Sequence, residues 1–246
     1  MPDAETLKQM YGDDYGQFLS VDHAHTGDAG TQKVLELMKK LGNGTFLDYG
    51  CGAGKLISEV SALGWKSYGI EFNRSMTDQI AGTHEAVIAG NLEEIPAEIS
   101  FDAIHFGDVV EHLTDVNVDM PKVLARLTKN GVLIAQGPLE ANFNVFLLGL
   151  RLKRMLRSSD SSMPPYHVSL ATAKGQKSFF SRFGLQEIIF EIVETAHPAP
   201  ERLTFGGLRS IRLTSLFLLR KTSQAISRTV RSSMGNRYFY AGRKIG

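Results

Sequence analysis

At 246 residues and 27.1 kDa the chain has the length of one large domain, and its single cysteine excludes a disulfide framework and a cysteine-based zinc site. A hydrophobic content of 43% with 22% charged residues excludes disorder over most of that length. The net charge of +1 conceals a split: residues 1–140 hold 10 Lys and Arg against 21 Asp and Glu, and residues 141–246 hold 17 against 5. Surfaces of opposite sign either serve two tasks or neutralise each other where the halves pack. Met1-Pro2-Asp3 begins no basic, apolar leader and no run of 18 apolar residues offers a membrane span, so a cytoplasmic location is expected.

Residues 1–30 carry Tyr11, Tyr15, Phe18, His23 and His25 among glycines and aspartates without a period, and are expected to form a loop-rich lead-in. Val34, Leu35, Leu37, Met38 and Leu41 have helical spacing, and Gly42-Asn43-Gly44 stops that helix. Strands and helices then alternate. Strands are expected at Thr45–Tyr49, Lys66–Glu71, Ala86–Ala89, Phe101–Phe106 and Gly131–Gln136, and helices at Lys55–Leu63, Asn73–Ala81 and Val116–Leu127. Such alternation implies right-handed βαβ crossovers, and therefore a doubly wound parallel sheet with ligands beyond its C-terminal strand ends. After Gly137-Pro138 the pattern breaks into an apolar-basic stretch at 143–157 and a polar linker. A helix at Thr172–Phe183, a strand at Leu185–Val193, a second apolar-basic helix at Leu208–Val230 and a last strand at Arg237–Ala241 follow.

The chemistry concentrates at Asp48-Tyr49-Gly50-Cys51-Gly52-Ala53-Gly54, a strand end followed by glycine at every second position and then a helix. Backbone without side chains admits a ligand closely, and the helix start offers unpaired N–H groups. An acid at the end of the second strand, Glu71, suits ribose hydroxyls of a dinucleotide or of S-adenosylmethionine. The spacing Gly50-x-Gly52-x-Gly54 is not the dinucleotide fingerprint, and Asp48 beside a pyrophosphate would crowd two anions together. A cationic ammonium on a sulfonium cofactor suits Asp48 better.

Five segments in order carry a resemblance: Asp48-x-Gly50-Cys51-Gly52-x-Gly54, Gly69-Ile70-Glu71, Gly90-Asn91-Leu92-Glu93, Phe101-Asp102-x-Ile104 with Asp108-Val109-Val110-Glu111-His112, and Lys129-Asn130-Gly131-Val132-Leu133. Together they resemble the class I S-adenosylmethionine-dependent methyltransferases of the small-molecule type, over residues 31 to about 195. The resemblance implies a Rossmann-like, seven-stranded, mostly parallel sheet whose seventh strand is antiparallel, here Arg237–Ala241. It implies one domain over 1–246: a helical lead-in at 1–30, a cofactor half at 31–140, a lid at 141–170, and a closing part at 171–246 with the basic helix.

The same resemblance gives the site residues their roles. Asp48, Gly50, Cys51, Gly52 and Gly54 would hold the methionyl end of the cofactor, Glu71 the ribose diol and Phe72 the adenine face. Asn91 and Leu92 would line the adenine edge, while Asp108 and Val109 would close the site. His112 follows the fourth strand, where oxygen-methylating relatives place a general base, and His167 lies in a pocket-capping segment; both are catalytic candidates. The plainer roles stand beside these: Cys51 as a packing residue, Glu111-His112 as a helix start, His105 as a packed core residue. His23, His25 and Asp13-Asp14 do not make a metal set, and no metal is expected.

The expected activity is methyl transfer from S-adenosylmethionine to oxygen of a small-molecule, sugar or lipid-like acceptor. The alternatives are a nicotinamide-dependent oxidoreductase and a non-catalytic cofactor-binding or membrane-adaptor protein with the same fold. The basic stretches 143–157 and 208–231 suit an anionic membrane surface, a substrate phosphate or a homodimer contact, and no nucleic-acid module accompanies them.

Overall fold

The computed structural model describes residues 30–73, 87–143, 167–193 and 234–245, with Leu148 and ten helical positions between 214 and 226. Helix α1 (residues 30–41) leads into β1 (Thr45–Tyr49), α2 (Lys55–Ser61), β2 (Lys66–Ile70), β3 (Val87–Ala89) and β4 (Phe101–Gly107). There follow α3 (Val116–Ala125), β5 (Leu127–Pro138), α4 (Ala173–Arg182), β6 (Leu185–Val193) and β7 (Arg237–Lys244). Short 3-10 turns, Leu92–Glu94 and Val110–His112, leave β3 and β4.

The strands form one sheet in the order β3-β2-β1-β4-β5-β7-β6. β1 to β5 run parallel, and β7 lies antiparallel between β5 and β6. This is the doubly wound sheet that the strand–helix alternation predicts, with the seven strands and antiparallel β7 that the resemblance implies. The chain builds outward from β1 to β3 and then returns to the other side of β1 as β4. The switch leaves a crevice at the C-terminal ends of β1 and β4, where ligands of this fold class bind.

Strand alternation divides the core in two. Leu47, Tyr49, Ile104, Phe106, Leu133, Ala135, Tyr238 and Tyr240 face α3 and α4, which contribute Met120, Val123, Leu124 and Phe180. Phe46, Ala103, Val132, Ile134, Phe239 and Ala241 face the opposite layer, with Val34, Leu37 and Met38 of α1 and Val60 of α2. Each fully buried Leu, Ile, Val, Phe or Met among them stabilises the fold by about 1.5–3 kcal/mol. Met120, Val123 and Leu124 are buried deeply enough that α3 persists through Pro121, which removes one helical hydrogen bond.

β5 is longer than the apolar run predicts, because Leu127 pairs with Phe101 and the Thr128 hydroxyl donates to Asp102 Oδ1 at 3.0 Å. Asp102 Oδ2 also accepts from the Thr45 amide at 2.9 Å, tying the entries of β1, β4 and β5 together. β7 likewise runs past Ala241 to Lys244, whose ammonium donates to the Leu124 and Leu127 carbonyls. The expected helix at Asn73–Ala81 and most of the expected lid lie outside the described residues, as does the lead-in before residue 30.

Candidate active site

At the end of β1 the backbone turns through Gly50, Gly52 and Gly54, with φ of +82°, +51° and +72°. These are left-handed conformations that side chains resist, and they explain the glycine at every second position. The Gly50 and Cys51 amides both donate to the Ile70 carbonyl, at 2.7 and 2.9 Å, so the loop is pinned over the end of β2. A Cβ at Gly50 would stand 2.7 Å from Val109 Cγ2, so the loop also lies against the chain leaving β4. Glu71 closes this arrangement. Its Oε2 accepts from the Gly52 amide and its Oε1 from the Asn73 amide, both at 2.9 Å. Phe72 beside it is 59% exposed and offers a ring face to a flat ligand, with the Tyr49 ring 5.7 Å away.

Asp48 lies beneath this loop rather than in it. It is 4% exposed, and its Oδ1 is 2.7 Å from His105 Nδ1, its register partner on β4. An ionised Asp48 only accepts, so Nδ1 carries the proton of that bond. His105 is buried, as the sequence predicts for a core residue, but it is also the partner of the one acid under the loop. Cys51 is buried, and its thiol is held well above the usual range by burial first and then by the Asp48 and Glu71 carboxylates. Its sulfur packs where a Cβ on Gly69 would come within 2.7 Å, which is the packing role. Asn91 is committed locally: its Oδ1 accepts from the Glu94 amide and its Nδ2 donates to Glu94 Oε1. Leu92 is buried in the core.

The β4 side is made of side chains. Asp108 has a φ of +55°, its amide donates to the Gln136 carbonyl, and both its carboxylate oxygens lie 2.6 Å from one nitrogen of Arg237. Val109 is buried behind Gly50. In the following 3-10 turn Glu111 is 5% exposed, over Gly137 and Tyr238, and its Oε1 has no hydrogen-bond partner. Burial, and then the Asp108 carboxylate, push its carboxyl up to about 8, against smaller opposing effects from its backbone hydrogen bond, His167 and Arg237.

Glu111 also recruits the distant histidine. Its carbonyl accepts from the Val168 and Ser169 amides, at 2.9 and 3.2 Å, which sets the His167 ring 4.9 Å from the His112 ring. His167 Nδ1 lies 2.7 Å from Glu140 Oε2, and this bond raises its pKa above the ordinary value against the opposing effect of burial. Polar atoms of Glu111, His112 and His167 all lie within 4.8 Å of one another. The two histidines proposed separately from sequence thus meet in one cluster. Sequence analysis missed His105, Glu140 and Arg237, and took Glu111 only as part of a motif. Asp48 and His105 interrupt apolar runs on two strands, which is the sequence signal that could have marked their pairing.

The basic stretches are described in part. Phe143, Leu148 and Leu218 are exposed, while Thr214 and Ser223 are buried. No helix among the described residues is long and apolar enough to cross a membrane.

The likenesses to known proteins agree with this geometry. Residues 24–188, more than half of the chain, match a family model described as a methyltransferase domain. A ubiquinone biosynthesis O-methyltransferase of Bradyrhizobium diazoefficiens is 33% identical over 128 residues, which cover 48% of this chain and 49% of that one. The match thus spans about half the length of this curated relative. Among solved structures, the (4+2)-cyclase SpnF superposes with a TM-score of 0.63 at 15% identity, over 100% of this chain and 98% of that one. Phosphoethanolamine N-methyltransferase 2 of Haemonchus contortus, solved with phosphomonomethylethanolamine and S-adenosylhomocysteine, superposes with a TM-score of 0.59 at 16% identity, over 98% and 59% of the two chains. These two share the fold. The cofactor implied by the family is S-adenosylmethionine, and the glycine cradle, Glu71 and the exposed Phe72 ring suit its three parts. The chain belongs to the class I S-adenosylmethionine-dependent methyltransferase family.

Proposed function

We propose that the protein transfers the methyl group of S-adenosylmethionine to an oxygen of a small-molecule, sugar or lipid-like acceptor. When bound, the cofactor supplies a methyl group already activated by its sulfonium charge. The chain's own task is to hold, orient and exclude water. In this proposal the Gly50–Gly54 backbone admits the methionyl end, and the buried Asp48–His105 pair sets a negative charge beneath it. Glu71 takes the ribose diol on its remaining lone pairs, and Phe72 covers the adenine. Asp108 and Val109 fix the floor between donor and acceptor, with Arg237 holding Asp108 in its left-handed conformation.

The observation that carries oxygen as acceptor is the Glu111–His112–His167 cluster next to the turn that touches Gly50. A hydroxyl must lose a proton to become a good nucleophile, and this cluster supplies proton-handling groups at the crevice. The curated O-methyltransferase relative supports the same acceptor atom. The exposed Phe143, Leu148 and Leu218 on the basic stretches further suit a lipid-like acceptor met at an anionic surface.

Calorimetry with S-adenosylhomocysteine, followed by methyl transfer from labelled cofactor to phenols, vicinal diols and amines, tests the proposal. Binding together with label in phenols or diols is expected. No cofactor binding by folded protein, or label in amines alone, would overturn it. For the surface, co-sedimentation with anionic liposomes is expected, and its absence removes the lipid-facing part.

A further inference from the structure

We propose that Glu111, His112 and His167 hold a divalent cation that binds and acidifies the acceptor hydroxyl, an inference that rests on the oxygen-methylation proposal above. The first support is convergence. Two segments more than fifty residues apart bring one carboxylate and two imidazoles within 4.8 Å of one another. Ligand atoms about 2.0–2.2 Å from a transition metal sit within roughly 4 Å of each other, so small side-chain rotations close the set.

The second support is the buried carboxylate. Glu111 is 5% exposed and its Oε1 has no hydrogen-bond partner. A buried carboxyl oxygen without a partner is costly, and a cation among these three groups would displace the carboxyl proton and satisfy it. The third is Glu140, which engages His167 Nδ1 at 2.7 Å, so that Nε2 is the ring nitrogen to place on a cation. A ligating imidazole is characteristically oriented in this way, by a carboxylate on its other nitrogen. The local charge also favours a cation: the Asp108 and Glu140 carboxylates act on the cluster, with Arg237, bonded to Asp108, partly offsetting them.

Two imidazoles and one carboxylate select Zn²⁺, Fe²⁺ or Mn²⁺ over Ca²⁺ and leave coordination positions open. A five- or six-coordinate cation on these three ligands keeps at least two positions open, which suits an acceptor with adjacent oxygens, a catechol or another vicinal diol. One hydroxyl binds the cation and releases its proton to solvent. That oxygen's lone pair then forms the new O–C bond, the methyl C–S bond breaks, and its electron pair returns to sulfur, giving a neutral thioether. The cation leaves the reaction as it entered.

The test uses full-length protein stripped with a chelator and dialysed. Zn²⁺ and Mn²⁺ binding is measured by calorimetry and metal analysis, and S-adenosylhomocysteine binding on the same samples reports the fold. Wild type is expected to bind one cation per chain. His167→Ala and Glu111→Gln should weaken it at least about 100-fold, and Glu140→Gln about 10- to 100-fold, with cofactor-product binding unchanged in all three. Chelation should abolish methylation of a catechol, and the cation should restore it. Wild type that binds S-adenosylhomocysteine but no cation overturns the site and leaves methyl transfer standing. Full activity after chelation also overturns it, because the histidines would then act as simple bases. Cation binding without cofactor binding leaves the metal site standing but overturns methyl transfer and, with it, the role given to the cation.

Discussion

On the β1–β2 side of the crevice the contacts are made by backbone: three glycines in left-handed conformation, two amides on the Ile70 carbonyl, and one carboxylate spanning two more amides. On the β4 side they are made by side chains drawn from far along the chain, with Arg237 reaching Asp108 and His167 reaching Glu140 and His112. A backbone cradle has little freedom to change what it holds. A cluster of side chains on a short turn and a returning segment can be re-chosen while the sheet stays intact. Under the proposed function the donor site is therefore built into the fold, and the acceptor would be decided by residues that the fold merely brings within reach.

The two sides share a polar joint, the Asp48–His105 pair, and removing it should have the largest effect. His105→Phe keeps the volume of the ring but leaves the Asp48 carboxylate buried without its partner. Breaking a buried pair in this way costs about 3–5 kcal/mol. Denaturant unfolding should show that loss, and Asp48→Leu combined with His105→Phe should recover most of it. A loss under about 1 kcal/mol would mean that the pair does not hold the two strand ends together.

Next in size is the pH dependence of the acceptor side in cation-free protein. The folded state keeps Glu111 protonated up to about 8, whereas an unfolded glutamate releases its proton near its ordinary value of about 4.3. Between these values the folded state binds more protons. The contribution of neutral Glu111 is therefore complete below about pH 4 and is lost as pH rises through about 8. Unfolding free energy should fall over that window by something on the order of a few kcal/mol, and Glu111→Gln should flatten the slope. A slope that survives Glu111→Gln unchanged would assign the titration to another group.

How far each side was legible in the sequence follows from the same contrast. Asp48 to Gly54 and Glu71 lie within 24 residues, and their spacing reflects conformations that only glycine adopts readily. The strands β1, β2, β4 and β6 were legible because continuous apolar runs or alternation mark a buried strand. β5 and β7 exceed their apolar runs, because Thr128, Asp102 and Lys244 secure the extra residues with polar bonds. His105, Glu140 and Arg237 were not legible as site residues, because strand register and a chain return bring them to their partners. Glu111 resembled a helix start; a three-residue 3-10 turn instead buries its side chain and presents its carbonyl to Val168 and Ser169.

The backbone cradle can be broken with one methyl group. Gly50→Ala places a Cβ 2.7 Å from Val109 Cγ2 at a φ of +82°, so the loop must shift or Val109 must move. A left-handed alanine alone costs about 1–2 kcal/mol. Calorimetry should show S-adenosylhomocysteine binding weakened at least about tenfold. Undiminished affinity would mean that the ligand does not depend on the loop holding this position.

The smallest expected effect separates capping from ligand contact at Asn91. Its side-chain oxygen caps the 3-10 turn through the Glu94 amide, and its nitrogen is taken by the Glu94 carboxylate, which also accepts from the Gly90 amide. Asn91→Ala should therefore lower stability by about 0.5–1 kcal/mol, as loss of a helix cap does. S-adenosylhomocysteine affinity should change less than about twofold if the carboxamide is wholly spent on the turn. A five- to tenfold loss of affinity with unchanged stability would show the reverse, that the amide turns outward to the adenine edge when the cofactor is present. Asn91→Asp sharpens the test, since a carboxylate still caps the turn but repels Glu94. Stability should then fall most at low ionic strength and recover with salt, whereas an adenine contact would be strengthened by the better acceptor at every salt concentration.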